Sequence, residues 1–414
     1  MADIRVECTE CSSHFLIEEE MLKKGFKCPK CESTSFQRLP DKEEDAEESS
    51  PEKEEEKAGP AATEQEEPAP AAGAPGPGTG ENADRDVDMK AIRQISDIHD
   101  QIVDELQKVI VGQRHVIEEL LVAILSGGHC LLEGVPGLAK TLLISSLART
   151  TELSFKRIQF TPDLMPSDIT GTEIIQEDPV SKERKFQFLR GPIFANVILA
   201  DEINRTPPKT QSSMLEAMQE KQISIGGEIH PLEQPFFVLA TQNPLEQEGT
   251  YPLPEAQQDR FFFKLLVSYP EFDEEHEIVR RVARQDFGEV KPVCDGEKLL
   301  HLQAALVEMP VADAVIEYAN RLARATRITP ENTSEFIRTH LAWGAGPRAP
   351  INLVIAAKCF AALAGNPSPS CDDVERAALP VMRHRIALNY TGRAEGRTTD
   401  DVIKRLRTEI EKYS

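Results

Sequence analysis

The chain has 414 residues, of which 40% are hydrophobic and 28% are charged, and its formal net charge is −23 at pH 7. This length predicts two or three domains, and the composition excludes a wholly disordered chain. The acidic balance argues against non-specific binding to nucleic acid or to an anionic membrane, and no apolar run is long enough to span a bilayer. Because the first ten residues, MADIRVECTE, lack the pattern of a signal peptide, we expect a cytoplasmic protein.

Two cysteine pairs near the start of the chain have the spacing of a zinc ribbon. Cys8 and Cys11 form one pair, Cys28 and Cys31 the other, and two residues separate the thiols of each. A tetrahedral zinc ion takes four thiolates, and a short turn lets each pair offer both. We therefore predict a small ribbon over residues 1–40 that holds one Zn²⁺. A rubredoxin-like iron site and metal-free redox thiols are the alternatives.

A change of composition follows the cysteine pairs. Residues 41–80 consist largely of Glu, Pro, Ala and Gly and carry 13 acidic against 3 basic side chains. Self-repulsion and proline predict an extended, disordered linker over residues 41–88. A plain tether is favoured, and the alternative is an acidic ligand that occupies a site on the chain itself or on a partner.

The segment LLEGVPGLAKT has the order strand, loop, helix that a phosphate-binding loop requires. We predict a buried strand over 129–133 and a helix over 142–149. Backbone N–H groups of the loop and the helix start would cradle phosphates, Lys140 would reach the β- and γ-phosphates, and Thr141 would be a Mg²⁺ ligand. The predicted loop consists of Gly134, Val135, Pro136, Gly137, Leu138, Ala139, Lys140 and Thr141. Ala139 stands where the pattern normally has its last glycine, and an Ala side chain resists unusual backbone angles.

Two further apolar strands end in polar side chains. VILA precedes Asp201 and Glu202, and FFVLA precedes a Thr-Gln-Asn turn that contains Asn243. Buried parallel strands deliver such side chains to the carboxyl edge of a sheet, where nucleotides bind. Asp201 would hold Mg²⁺, Glu202 would polarise the attacking water as a general base, and Asn243 would orient that water or touch the γ-phosphate.

With three strand tips in this order, the chain resembles the AAA+ ATPases, and among them the MoxR family. The residues that carry the resemblance are EGVPGLAKT, GPIFANVILADEINRTPPKTQSSMLEAMQE, FFVLATQNPLEQEGTYPLPEAQQDRFFF and GAGPRAP. The resemblance implies an α/β fold of the P-loop NTPase (AAA+) class. A parallel sheet flanked by helices would occupy residues 89–270 and a C-terminal helical lid residues 271–414, and the family often has Ala where Ala139 stands.

The resemblance also assigns roles to single residues. Lys140 and Thr141 match the Walker A positions, Asp201 and Glu202 the Walker B pair, and Asn243 the sensor of the γ-phosphate.

Four more residues are assigned by the resemblance alone. Arg260 matches the arginine finger, Arg348 matches the lid arginine called sensor 2, and the turn with Val111 and Gly112 resembles the segment beside the adenine. A finger requires that a neighbouring subunit present Arg260, so the resemblance implies a homo-oligomeric ring, expected to be a hexamer.

Two β-hairpins are predicted as insertions in the core. One is formed by residues 169–176 and 185–190, and the other spans 222–230 with Gly226 and Gly227 at its turn. They resemble the pore-facing insertions of this clade. Helical patterns over 274–284, 311–325, 351–364 and 372–387 predict the lid.

By resemblance, we expect a chaperone-like ATPase that uses ATP and Mg²⁺ in the maturation or assembly of protein complexes. A protein client, or a partner with a von Willebrand A domain on a separate chain, would bind it. The alternatives are a nucleic-acid-associated AAA+ motor or transcription regulator that uses the ribbon, and a chelatase-like metal insertion motor. The acidic balance argues against a nucleic-acid partner, and Glu202 and Arg260 argue against a scaffold that only binds nucleotide.

Overall fold

A computed structural model describes residues 3–9, 14–18, 27–28, 31, 34–38, 89–135, 137–177, 184–243, 249–286, 288–329 and 334–412. The chain divides into two compact units, Met1–Gly80 and Glu81–Ser414. The predicted linker over residues 41–88 lies outside the described residues, and the domain boundaries stay a prediction.

Fourteen strands are present in the described part of the chain. They are β1 Asp3–Cys8, β2 His14–Glu18, β3 Phe36–Arg38, β4 Cys130–Gly134, β5 Phe155–Gln159, β6 Gly171–Glu177, β7 Arg184–Arg190, β8 Val197–Asp201, β9 Gln222–Ile225, β10 Glu228–Pro231, β11 Phe237–Gln242, β12 Phe263–Val267, β13 Leu341–Trp343 and β14 Ala387–Leu388.

The helices of the described residues all belong to the second unit. They are α1 Met89–Gln107, α2 Arg114–Leu125, α3 Lys140–Thr150, α4 Pro166–Thr170, α5 Pro208–Glu220, α6 Glu255–Gln258, α7 Phe272–Arg284, α8 Gly296–Glu308, α9 Asp313–Ala325, α10 Glu335–His340, α11 Arg348–Leu363, α12 Cys371–Met382, α13 Tyr390–Ala394 and α14 Thr399–Glu409, with a 3₁₀ turn at Ile203–Arg205.

The first unit contains a small antiparallel sheet in the order β2-β1-β3. Val6 pairs with Phe15 on one side of β1, and Cys8 pairs with Phe36 on the other. One predicted zinc ligand, Cys8, therefore lies at the end of the central strand.

The second unit is built on a five-stranded sheet in the order β12-β4-β11-β8-β5. All four pairings are parallel. The central strands are continuous apolar runs because both faces of the sheet are covered, and the first four residues of β8 are all buried. The predicted parallel sheet flanked by helices is confirmed.

Alternate residues of the strands belong to two separate cores. Leu132, Leu199 and Leu239 face a core that includes α1, α2, α3 and most of the lid helices. Leu131 and Ile198 face the opposite core, which is formed largely by α5 and the bases of the hairpins. Because successive side chains of a strand point to opposite faces, each face of the sheet packs against its own set of helices. The core on one face also includes most of the lid helices.

Both predicted hairpins are confirmed. β6 and β7 pair antiparallel, as do β9 and β10. Gly226 and Gly227 have φ values of 61° and 88°, which a tight two-residue hairpin turn requires. The Phe188 ring of the first hairpin stacks on His230 of the second at 4.3 Å, so the two hairpins pack together. The turn residues 178–183 lie outside the described residues.

The last predicted lid helix was too long. Helix α12 ends at Met382, and Ala387 lies instead in β14, which pairs with β13. Ile386 and Leu388 are both buried, so their hydrophobicity fits a short strand as well as a helix face.

Among the described residues, no single helix is both long and apolar enough to cross a bilayer. The pair α8 and α9 meets the length and composition test only when taken together across a 95° bend.

Candidate active site

The loop between β4 and α3 places two residues in the left-handed backbone region. Gly137 has a φ of 87°, and a Cβ built there would meet nothing within 4 Å. Ala139 has a φ of 53° and is the N-cap of α3, where no side chain caps the helix. An alanine in this conformation costs about 1–2 kcal/mol. Ala139 therefore adopts the left-handed backbone conformation that its side chain disfavours. The first N–H groups of α3 have no side-chain cap, so they can bind a phosphate. Pro136 lies outside the described residues.

Lys140 is half-buried at the first turn of α3. Its Nζ donates to the Gly134 carbonyl oxygen at 2.6 Å, so the side chain folds back over the loop. Burial lowers its pKa, while Asp201 and Glu202 oppose that shift. Gly134 ends β4 and Asp201 ends β8, and only β11 separates these parallel strands, so the ammonium and the two carboxylates lie at the same edge of the sheet. Thr141 is exposed beside it.

Asp201 and Glu202 are joined by a residue that the sequence interpretation left without a role. Thr241 Oγ1 on β11 donates to Asp201 Oδ1 at 2.7 Å and accepts the Glu202 backbone N–H at 2.8 Å. Glu202 itself has a φ of 59°. A non-glycine residue held in this region stores strain, and Thr241 helps to hold it there.

The neighbouring strand β5 supplies two more partners. Gln159 Nε2 donates to Glu202 Oε2 at 2.6 Å, and Arg157 contacts Asp201 Oδ2 with Nε at 3.0 Å and Nη2 at 2.6 Å. Arg205 lies 3.2 Å from Glu202 Oε2. Both carboxylates are thus held in place by hydrogen bonds and by nearby positive charge.

A cavity of about 470 Å³ adjoins the loop. Its walls include Val111 and Gln113 before α2, Leu138 and Leu142 at the loop, and several residues of α7. The volume and the largely apolar walls suit a purine base.

Gly112 does not line this cavity but fixes the turn beside it. A Cβ on Gly112 would lie 2.3 Å from the Glu274 carboxylate of α7, and its φ is 69°. The positive φ favours glycine at this turn, and a Cβ would also displace the Glu274 carboxylate.

Asn243 and Arg260 differ in their surroundings. Asn243 is buried just after β11, near the tip that carries Thr241. Arg260 is half-buried between α6 and β12, and within the described ranges its side chain makes no ion pair or hydrogen bond. Arg260 does not line the cavity of its own chain.

Arg348 begins α11 and contacts the residue before Arg260. Its Nη1 lies 3.4 Å from Asp259 Oδ2, and the same carboxylate accepts the Nε of Arg385 at 2.8 Å. Arg385 is buried, and burial lowers its pKa to about 10. The structure therefore connects two predicted site residues through Asp259 and Arg385, which the sequence motifs did not reveal.

The structure describes the side chains of two of the four predicted zinc ligands. Cys28 is buried and Cys31 is exposed, Cys11 lies outside the described residues, and nothing is described of the Cys8 side chain. Within the part of the chain that the structure describes, no three His, Cys, Asp or Glu side chains form a group that could hold a metal.

The donors at the carboxyl edge of the sheet fit magnesium. A hydroxyl at Thr141 and a carboxylate at Asp201 are hard oxygen ligands, and Mg²⁺ prefers few protein ligands together with water and phosphate oxygens. The cavity adjoins the start of α3, so a phosphate chain at the helix start and a base in the cavity could belong to one nucleotide.

The comparisons with known proteins agree with this geometry. Residues 129–263 match the ATPase family associated with various cellular activities (AAA), and residues 334–406 match an AAA lid domain. A structure from Cytophaga hutchinsonii, described as a putative ATPase, is 42% identical, with a TM-score of 0.72 over 78% of this chain and 97% of that one.

Two named relatives specify the family. The chain is 43% identical to Chaperone MoxR1 of Mycobacterium tuberculosis over 74% of this chain and 80% of the relative. It is 28% identical to Protein MoxR of Methylorubrum extorquens, over 69% of this chain and 86% of that protein. With the sheet, the lid and these similarities together, the chain belongs to the MoxR family of AAA+ ATPases.

Proposed function

We propose that this chain hydrolyses ATP at the carboxyl edge of its sheet. The observation that supports this proposal most is that Lys140, Asp201 and Glu202 lie at one edge of the parallel sheet, beside a loop that adjoins a cavity of nucleotide size. Membership of an ATPase family makes nucleotide and Mg²⁺ use the general expectation, and this arrangement of side chains supports the proposed site.

Lys140 and Thr141 bind the triphosphate in this mechanism. The Lys140 ammonium exchanges the Gly134 carbonyl for β- and γ-phosphate oxygens, which carry more negative charge. Thr141 and Asp201 would hold Mg²⁺, and the ion would neutralise charge that develops on the phosphates. The base occupies the cavity beside Val111.

Glu202 acts as the general base toward the attacking water. Gln159 and Arg205 both contact Glu202 Oε2, so one carboxylate oxygen is occupied and the geometry of the group is fixed. Thr241 Oγ1 hydrogen-bonds to both the backbone N–H of Glu202 and the carboxylate of Asp201, so it fixes the position of one relative to the other. Asn243, next to this tip, orients the water or contacts the γ-phosphate.

Arg348 and Arg260 both act on the γ-phosphate in this proposal. Arg348 belongs to the lid of the same chain. Arg260 has no side-chain partner among the described residues, which supports a role in the site of a neighbour. AAA+ ATPases generally form oligomeric rings, and we propose a hexamer here.

Replacing Lys140 by Ala is expected to lower phosphate release from ATP at least about 100-fold, because the triphosphate loses the half-buried cation of the loop. The measurement is Mg²⁺-dependent phosphate release by the full chain, together with binding of a fluorescent ATP analogue. Lys404→Ala is the matched control, since Lys404 is exposed on α14. Hydrolysis that is equal in both variants would contradict the proposed site.

The work that hydrolysis drives is proposed from the relatives. Similarity to a protein named Chaperone MoxR1 supports a chaperone-like motor in the maturation or assembly of protein complexes. A von Willebrand A domain on another chain is the proposed partner. Exposed apolar side chains on the first hairpin, such as Ile175 and Phe186, supply a surface that a protein client could contact.

We also propose that the first unit binds one Zn²⁺ through Cys8, Cys11, Cys28 and Cys31. The spacing of the cysteines, the antiparallel sheet and the position of Cys8 at the end of β1 support it. Elemental analysis of the purified full chain is expected to find about one zinc per chain, and Cys28→Ser with Cys31→Ser is expected to remove it. Cys359→Ser, at a buried thiol of α11, is the control. Iron in the native protein, or zinc retained by the double variant, would refute the assignment.

A further inference from the structure

The carboxylate of Asp201 accepts hydrogen bonds from two side chains on two neighbouring strands. Thr241 Oγ1 donates to Oδ1 at 2.7 Å, and Arg157 donates to Oδ2 with Nε at 3.0 Å and with Nη2 at 2.6 Å. An ionised carboxylate offers about four acceptor positions, and these contacts use both of those on Oδ2. A metal ion that binds Oδ2 must therefore displace the Arg157 guanidinium, and one that binds Oδ1 must share the carboxylate with it.

Arg157 lies on the face of the sheet that carries the phosphate loop. In the parallel pairing of β5 with β8, Arg157 is opposite Leu199, and Gln159 is opposite Asp201. Leu199 belongs to the core that includes α3, the helix that follows the loop. Because alternate residues of a strand share a face, Arg157 points to the side of α3, whereas Lys156 points to the opposite side.

The position of Arg157 is well defined, yet the side chain is not buried. Its Nη2 also donates to Gln159 Oε1, and Gln159 in turn donates to Glu202. The Arg157 side chain is 47% exposed, whereas that of Asp201 is 15% exposed. An ion pair with an exposed partner contributes little to stability, so Arg157 can leave the carboxylate at little cost, and its replacement should leave the fold intact.

A guanidinium on this carboxylate opposes the binding of a divalent cation, because it carries a positive charge at every physiological pH. A unit charge about 5 Å from a divalent ion lowers the affinity for that ion about tenfold, even at the dielectric constant of water. The phosphates of a nucleotide at the start of α3 add several negative charges on the same side of the sheet. Their attraction for the metal outweighs the repulsion by one guanidinium.

We propose that Arg157 is a positioning residue that competes with Mg²⁺ for the carboxylate of Asp201. Mg²⁺ alone binds weakly because Arg157 already supplies a positive charge there, and Mg²⁺ that arrives with nucleotide displaces the guanidinium because the phosphates retain the metal. When the released phosphate departs after hydrolysis, Arg157 returns to Asp201 and favours release of the metal. This inference rests on the proposed role of Asp201 as a Mg²⁺ ligand.

The test measures metal affinity rather than hydrolysis. Full chains are loaded with about one ADP per chain, Mn²⁺ is added in place of Mg²⁺, and free Mn²⁺ is measured by its electron paramagnetic resonance signal. Arg157→Gln removes the charge and Arg157→Lys keeps it. Lys156→Gln is the matched control, since Lys156 is an exposed cation of the same strand that points to the other face.

Arg157→Gln is expected to bind Mn²⁺ about tenfold more tightly than the native chain. Arg157→Lys is expected to bind Mn²⁺ more weakly than Arg157→Gln, because the positive charge is retained. Lys156→Gln is expected to have the native affinity. Damage to the structure would weaken metal binding, so a gain in affinity separates competition from a merely structural role of Arg157.

Unchanged or weaker Mn²⁺ binding by Arg157→Gln would overturn the competition, as would an equal gain in Arg157→Lys or in Lys156→Gln. Asp201→Asn tests the proposed metal site separately and is expected to weaken Mn²⁺ binding about tenfold or more. Native affinity in Asp201→Asn would overturn the metal site and the competition with it. If Asp201→Asn weakens binding and Arg157→Gln does not strengthen it, the competition alone is wrong.

Discussion

Replacing Arg260 by Ala is expected to lower kcat for ATP about 10³-fold or more in homogeneous rings, with little change in ATP binding. A guanidinium placed against the γ-phosphate stabilises charge that is greatest in the transition state, so its loss affects the rate more than the affinity. The Arg260 side chain has no partner in the described residues of its own chain, so its removal leaves no buried group unsatisfied. Phosphate release under saturating ATP measures the effect.

Arg260→Lys is the informative companion to this variant. A lysine keeps the charge but loses the planar fork that contacts two oxygens, so its rate is expected between those of the alanine variant and the native chain. Arg393→Ala, on the exposed face of the lid, is expected to hydrolyse ATP at the native rate. A native rate for Arg260→Ala rings of unchanged size would show that this residue has no part in hydrolysis.

Replacing Glu202 by Gln is expected to lower kcat about 10²–10⁴-fold while ATP binding is retained. The amide keeps the size of the side chain and its contact with Gln159, but it cannot accept a proton from water. The measurement combines single-turnover phosphate release with equilibrium binding of an ATP analogue.

Glu216→Gln is the matched control for this change. Glu216 is a carboxylate on the exposed face of α5, outside the site. It is expected to behave like the native chain. If Glu202→Gln hydrolysed ATP as fast as this control, another group would have to be the base.

The site could be predicted in part because some of its residues lie in contiguous motifs. Lys140 and Thr141 follow a glycine loop, and Asp201 and Glu202 end an apolar strand, so local pattern and parallel-sheet geometry together place them at one edge. Arg157, Gln159 and Thr241 could not be found in this way. Each is an ordinary polar residue whose partner lies about forty positions away.

Asp259 and Arg385 illustrate the same limit at longer range. They are 126 positions apart, and only the packing of the lid against the sheet brings them together. Arg385 follows an amphipathic helix, where sequence alone predicts an exposed cation, because burial of an arginine depends on partners that the local pattern does not contain.

The fold was predictable wherever hydrophobic periodicity was unambiguous. The central strands β4, β8 and β11 are continuous apolar runs, and glycine pairs or turn residues mark both hairpins. The edge strand β5, with the sequence FKRIQ, exposes charged residues and lacks that pattern. Strand β12 begins at the last of three consecutive phenylalanines, where neither a period of two nor one of 3.6 is evident.

A structure of the full Glu202→Gln chain bound to ATP and Mg²⁺, determined by electron cryomicroscopy, tests the proposed site most directly. We expect the triphosphate against the loop of Gly137 and Lys140, the metal between Thr141 and Asp201, and the base in the cavity lined by Val111. Arg260 of the adjacent subunit is expected within hydrogen-bonding distance of the γ-phosphate. Nucleotide bound elsewhere on the chain, or a triphosphate in this loop without contact to Lys140, would contradict the proposed site.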